Sequence, residues 1–139
     1  MNYWILKSEP DVYSYDDLLK QKIGTWDGVR NYTARNNLKK MKVGDLAFFY
    51  HSNIGKEIVG VVKIVKEAFQ DPLTEDNRWV AVEVLPIEKL QRTITLKELK
   101  ENPDMQHLEL VRFTRLSVMS IEKADFEQII KMSKEKINL

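Results

Sequence analysis

The sequence predicts an α+β fold, a small barrel-like sheet of mixed or mostly antiparallel strands with short helices between them. Two observations carry this. Strand-like apolar runs crowd the middle of the chain, DLAFFYHS, EIVGVVKIVKEA and RWVAVEVLPI. Helix-start signals of the S-x-x-D and T-x-x-E kind recur on either side of them. With 139 residues, 43% apolar and 31% charged, the chain fits one domain, 1–139, able to bury its own core.

In chain order, YWILKS (3–8) reads as a first strand ended by Pro10. Ser14 and Asp17 bracket a capping box that opens a short helix through DLLKQ. Gly24 and Asp27-Gly28 mark turns on either side of Trp26. Asn31 can cap a second helix running to about Met41, with Ala34, Leu38 and Met41 on its buried side. Runs 45–52 and 57–68 form a hairpin around Gly55, and 78–87 supplies a third strand with Val80, Val82 and Val84 on one face. A capping box from Thr95 to Glu98 starts a helix stopped by Asn102-Pro103; RLSVMSI (115–121) is a short strand and ADFEQIIKM a closing helix. The polar stretch QDPLTEDN (70–77) is the one candidate linker.

Function classes fall away on composition. There is no cysteine, which excludes disulfides, cysteine zinc sites and thiol catalysis and fits a reducing compartment. Two distant histidines without H-x-x-H do not point to a metal site, and the five glycines form neither G-x-G-x-x-G nor a P-loop. No cofactor is expected. Four apolar residues before Lys7 are too few for a signal peptide, and no run approaches the ~20 residues of a membrane span. The chain therefore reads as a soluble, cytoplasmic protein. Its net charge is only +1, yet Gly28 to Gly44 holds five basic residues and no acidic one. On charge alone that run reads as a solvated helix face.

Four segments together resemble the EVE domain of the PUA-like superfamily, related to thymocyte nuclear protein-like, YTH and ASCH domains. They are YWILKSEP (3–10), WDGVRNYTARNNL (26–38), GDLAFFYHSN (44–53) and RLSVMSI (115–121). The resemblance spans essentially the whole chain. It implies a curved, PUA-like β-barrel of about five to six mostly antiparallel strands flanked by short helices. It also implies a non-catalytic module that reads a modified base in RNA or DNA within an aromatic-walled pocket. Two departures stand out: the 70–77 connection is short, and Ser120 stands where many members carry Pro.

The residues allow such a pocket. A flipped base needs a flat wall and groups for its edge. Trp26, on a loop that need not bury it, supplies the wall or else a lid packed over the barrel end. Asn31 offers an amide and a carbonyl, or simply caps its helix. Lys7, Ser8 and Glu9 end the first strand where a barrel's pockets open, and His51 and Ser52 end another strand; for His51 a hydrogen-bonded structural role is the default. Arg30, Arg35, Lys39 and Lys42 would meet backbone phosphates, the last three recurring at helical spacing beside the apolar face. Two other classes compete. One is an ASCH-like amidohydrolase using Lys7 and Glu9 on a modified nucleoside; the other is an interaction module holding a metabolite or a protein side chain.

Overall fold

The computed structural model describes residues 1–135; the last four residues of the expected single domain, 136–139, lie outside them. The elements are β1 (Tyr3–Ser8), α1 (Tyr15–Gln21), β2 (Gly24–Trp26), α2 (Tyr32–Lys40), β3 (Leu46–His51), β4 (Glu57–Gln70), β5 (Val80–Thr95), α3 (Leu96–Glu101), α4 (Glu109–Arg112), β6 (Val118–Ile121) and α5 (Lys123–Lys134). A single 3-10 turn, Pro103–Met105, sits between α3 and α4. The strands form one sheet in the order β2-β5-β4-β3-β1-β6. Only β1 and β3 run parallel; every other neighbouring pair is antiparallel.

The expected closed barrel is not formed. The sheet ends at β2 on one side and β6 on the other. These end strands hold three and four residues, and each is paired on one side only. Helix α2 packs on β4, β5 and β6.

The sheet is buried on both faces, which explains why β3 is apolar without alternation. Trp4, Leu6, Ala47 and Phe49 point into a core shared with α1 and α2. Ile5, Phe48 and Tyr50 point into a second core under α3, α4 and α5. Phe48 stacks on Phe126 of α5 with ring centroids 4.1 Å apart.

Local chemistry fixes the helices. Ser14 caps α1 through the full reciprocal box with Asp17. Asn31 caps α2, its Oδ1 accepting from the Ala34 amide at 3.0 Å. Only half of the expected box at α3 forms: Thr95 accepts from the Glu98 amide, while the Glu98 carboxylate pairs with Arg92 at 2.6 Å. Helix α1 is pinned to the sheet by Tyr15, whose hydroxyl donates to the carbonyls of Val61 (3.0 Å) and Glu88 (2.9 Å). Its ring lies flat enough on β4 that a Cβ at Gly60 would sit 2.5 Å from it. Burial pushes the Tyr15 phenol up to about 12.

Segment 70–77 is no linker. Asp71 within it is fully buried and carries three hydrogen bonds, and its backbone N–H donates to Trp79 O at 3.1 Å.

Candidate nucleic-acid interface

A cleft of about 810 Å³ opens beside the end of β1, walled by α1, by residues 23–30 and by Ser117 ahead of β6. Its most constrained wall is the segment GTWDGVR. Gly24 to Trp26 forms β2, an edge strand paired to Val82–Val84 of β5. A Cβ at Gly24 would collide with the Tyr13 hydroxyl, so only glycine lets this strand approach Tyr13. Beyond Trp26 the chain turns through Gly28, at φ +76°, in the left-handed region that glycine tolerates.

The turn is held by Asp71. Its Oδ2 accepts from the Gly28 amide (2.8 Å) and Arg30 Nη1 (2.9 Å), and its Oδ1 from the Leu73 amide (2.7 Å). Burial pushes the carboxyl up, but these bonds and the Arg30 charge outweigh it and leave the pKa below the ordinary value. Arg30 thus reaches the cleft already oriented, its side chain 40% exposed.

Trp26 is a strand residue and part of the core, not a loop residue as expected. It is 6% exposed and meets Phe49 edge-on at 5.2 Å and Tyr13 at 6.1 Å. The pairing to β5 draws it inward and leaves it lining the cleft floor. Tyr13 lies alongside, its hydroxyl donating to Gln21 Oε1 at 2.6 Å.

Lys7 and Ser8 also line the cleft. The Lys7 ammonium donates to the Thr114 carbonyl at 2.8 Å, and burial pulls its pKa down. Ser8 Oγ donates to the Tyr13 carbonyl at 2.6 Å, joining the β1 end to the loop before α1. Asp27 brings a carboxyl to the same space; burial and then the nearby Asp71 raise its pKa, with its own backbone N–H and Arg30 acting the other way.

The other candidates stand elsewhere. Glu9 lies past the strand end, exposed, and accepts from Asn53 Nδ2 at 2.7 Å, so it is not paired with Lys7. Asn31 spends its oxygen on the α2 cap and borders a separate hollow of about 360 Å³ near Phe113. His51 Nε2 accepts from the Tyr15 amide at 3.1 Å, and burial lowers its pKa. Ser52 donates its amide to Ser8 O at 2.9 Å. None of these four is in the cleft lining.

The basic stripe is shorter than its spacing suggests. Arg35 and Lys39 lie on α2, but the helix ends at Lys40, and Lys42 follows it with its ammonium 3.9 Å from Glu67. Arg35 donates to its neighbour Asn36 and to the Arg78 carbonyl, and its guanidinium lies 5.0 Å from the Tyr32 ring centre. Tyr13, Asp27 and Asp71 were not among the expected site residues. Asp27, in the Asp27-Gly28 turn, and Asp71, next to Pro72 in a polar run, each had a local turn signal to mark them.

Among the described residues, no group of His, Asp or Glu is placed to hold a metal ion, and no helix is long and apolar enough to cross a membrane. What the fold defines is an α+β domain with a two-faced sheet and, at the end of its first strand, a cleft whose lining includes Lys7, Asp27 and Arg30. The model of the EVE domain family matches residues 2–132, and the chain belongs to that family.

Mouse thymocyte nuclear protein 1 is 36% identical over an alignment taking in 94% of this chain and 73% of the relative. The crystal structure of human THYN1 protein in complex with 5-methylcytosine-containing DNA superposes with a TM-score of 0.91 at 34% identity, covering 99% of this chain and 100% of that one. The YTH domain of the Zygosaccharomyces rouxii MRB1 protein shares the fold at 17% identity and a TM-score of 0.61, covering 99% and 89%.

The cytoplasmic expectation is corrected by the mouse and human relatives, both named thymocyte nuclear protein 1. A cysteine-free composition suits any reducing compartment and does not separate nucleus from cytosol.

Proposed function

We propose that this domain binds nucleic acid and receives a modified base in the cleft beside β1, without acting on it chemically. The observation that carries the reading is the match, along nearly the whole chain, to the human protein crystallised with 5-methylcytosine DNA. The cleft supports it with a suitable size for a small ligand and a mixed lining. Trp26 and Tyr13 supply the apolar floor, and Lys7 and Arg30 bring positive charge to the mouth. Asp27 can accept from the exocyclic amine of a cytosine or adenine. Arg35 and Lys39 lie on the exposed side of α2, able to meet phosphates and so to position rather than specify.

An amidohydrolase reading draws support from one feature, the depressed pKa of Lys7, a shift common to catalytic lysines. It lacks the expected carboxylate, because Glu9 is turned to Asn53.

One experiment separates the readings. Oligonucleotides matched except for a single modified cytosine are titrated with the protein across a salt series, and the mixtures are searched for product. The wild type should prefer the modified strand and yield no product. Asp27→Asn should narrow the preference. Arg35→Glu should weaken both strands alike and lower the salt slope by about 0.7–0.9 per lost contact. Equal affinity for both strands would defeat the reader; product that vanishes in Lys7→Ala would establish the enzyme.

A further inference from the structure

Outside the cleft, the described surface holds one cluster that its stability does not explain. Tyr32, at the start of α2, is 52% exposed although it is a large aromatic. It lies against Trp79, which is itself partly exposed, with ring centroids 5.3 Å apart and a 31° tilt. Three guanidinium groups surround the pair. Arg35 sits 5.0 Å from the Tyr32 ring centre, and Arg30 and Arg78 sit 5.6 and 5.8 Å from that of Trp79.

The three arginines are not equivalent. Arg78 is neutralised by Asp76 through Nε and Nη2, and its Nη1 donates to the Tyr32 hydroxyl at 3.0 Å, so it braces the rings. Arg35 has no carboxylate partner among the described residues; its head rests on the neutral Asn36 amide and a carbonyl. Arg30 uses only Nη1 on the protein, leaving its other nitrogens without a partner among the described residues.

Arg30 also lines the cleft, so the aromatic pair begins where the cleft ends. The pair is anchored as well: the Trp79 carbonyl accepts from the amide of Asp71, the residue that orients Arg30.

We infer that Tyr32 and Trp79 form a stacking shelf for the nucleotide next to the one in the cleft, with Arg30 at the boundary and Arg35 beyond it meeting the phosphates on either side. The inference rests on the nucleic-acid reading above and extends it from one base to its neighbour. An exposed aromatic face beside the guanidinium of Arg35, which no carboxylate among the described residues neutralises, suits a stacked, backbone-linked base of any identity. The shelf therefore adds affinity without adding sequence preference.

The test is a length series: 5-methyldeoxycytidine monophosphate, then a trimer and a pentamer of single-stranded DNA with 5-methylcytosine at the centre and thymidine around it. Each is titrated against the wild type, Tyr32→Ala and Trp79→Leu, with circular dichroism to verify folding. In the wild type, affinity should rise as flanking nucleotides are added. Tyr32→Ala should bind the mononucleotide as the wild type does and lose roughly 5- to 150-fold on the pentamer. Trp79→Leu, which keeps an apolar filler, should lose in the same direction.

If both variants keep the full gain with length, the shelf is wrong while the cleft reading stands. If Tyr32→Ala loses every length equally, the residue supports the cleft and the shelf is again wrong. If the wild type binds none of the three ligands, the nucleic-acid reading falls and the shelf falls with it.

Discussion

Replacing Asp71 with alanine removes the one acceptor that holds the wall of the cleft in place. The residue is fully buried, and three donors converge on it: the amides of Gly28 and Leu73 and the guanidinium of Arg30. Each stranded amide costs about 1–3 kcal/mol, and the lower end applies because Gly28 and Leu73 are themselves exposed and water can reach them. The bond from Arg30 adds about 1 kcal/mol rather than the value of a buried pair, since its side chain is 40% exposed. The sum is about 3 kcal/mol, which at an ordinary urea dependence lowers the midpoint by roughly 1–3 M. Asp71→Asn keeps one oxygen and should lose about half as much. Freed from its anchor, Arg30 no longer reaches the cleft pre-oriented, so oligonucleotide affinity should fall along with stability. Acid should mimic the mutation. The Asp71 pKa lies below its unfolded value, so its contribution is present above the ordinary carboxylate range and is lost as pH falls through the folded pKa. Urea denaturation and oligonucleotide titration measure the two effects. An alanine variant within about 0.5 kcal/mol of the wild type, with unchanged affinity, would refute this account of the wall.

Trp26→Ala should destabilise the protein by about 3–5 kcal/mol, because the indole is packed among Phe49 and Tyr13; a thermal melt like that of the wild type would show that it is only a lid. His51 has its pKa lowered, chiefly by burial, and its Nε2 accepts the hydrogen bond from the Tyr15 amide only when neutral. Its contribution to stability should be whole above the unfolded value of about 6.5 and shrink as pH falls below it. Urea midpoints between about pH 7 and 5 should therefore drop more steeply in the wild type than in His51→Gln; parallel curves would assign the effect to another group.

Elements whose signals are local were legible in the sequence. Ser14 with Asp17, and Asn31 ahead of Ala34, lie within one turn of the backbone groups they satisfy, and the long apolar runs of β3, β4 and β5 need no partner to be seen. What depended on distant partners was not. Strand β2 is three residues long, with one glycine and no room for alternation, and only its pairing with Val82–Val84 makes it a strand. That pairing decides whether Trp26 is a free wall or a core residue. Asp71 looked like one more polar residue of a loop because its donors come from Gly28 and Arg30, far back in the chain. Of the expected site, Lys7, Ser8, Trp26 and Arg30 converge on the cleft, while Glu9, Asn31, His51 and Ser52 have structural partners of their own. Lys7 and Glu9 would share one face only if the strand continued, and it stops at Ser8, before Glu9 and Pro10.

Strand β1 lies between β3 and β6, so Tyr3 is paired to Leu46 on one side and to Ile121 on the other. Among the described strands, the first to be synthesised is thus the next to last in the sheet, and its outer neighbour is the last of them to follow. Until β6 arrives, an apolar strand waits with a row of open hydrogen-bonding groups, the geometry by which one chain captures another. Pairings this distant in sequence also close late, because the loop must be ordered before the contact repays it. A fragment cut ahead of Val118 would keep Lys7, Trp26 and Arg30 and still be a poor reagent: its bare β1 edge would favour aggregation over binding.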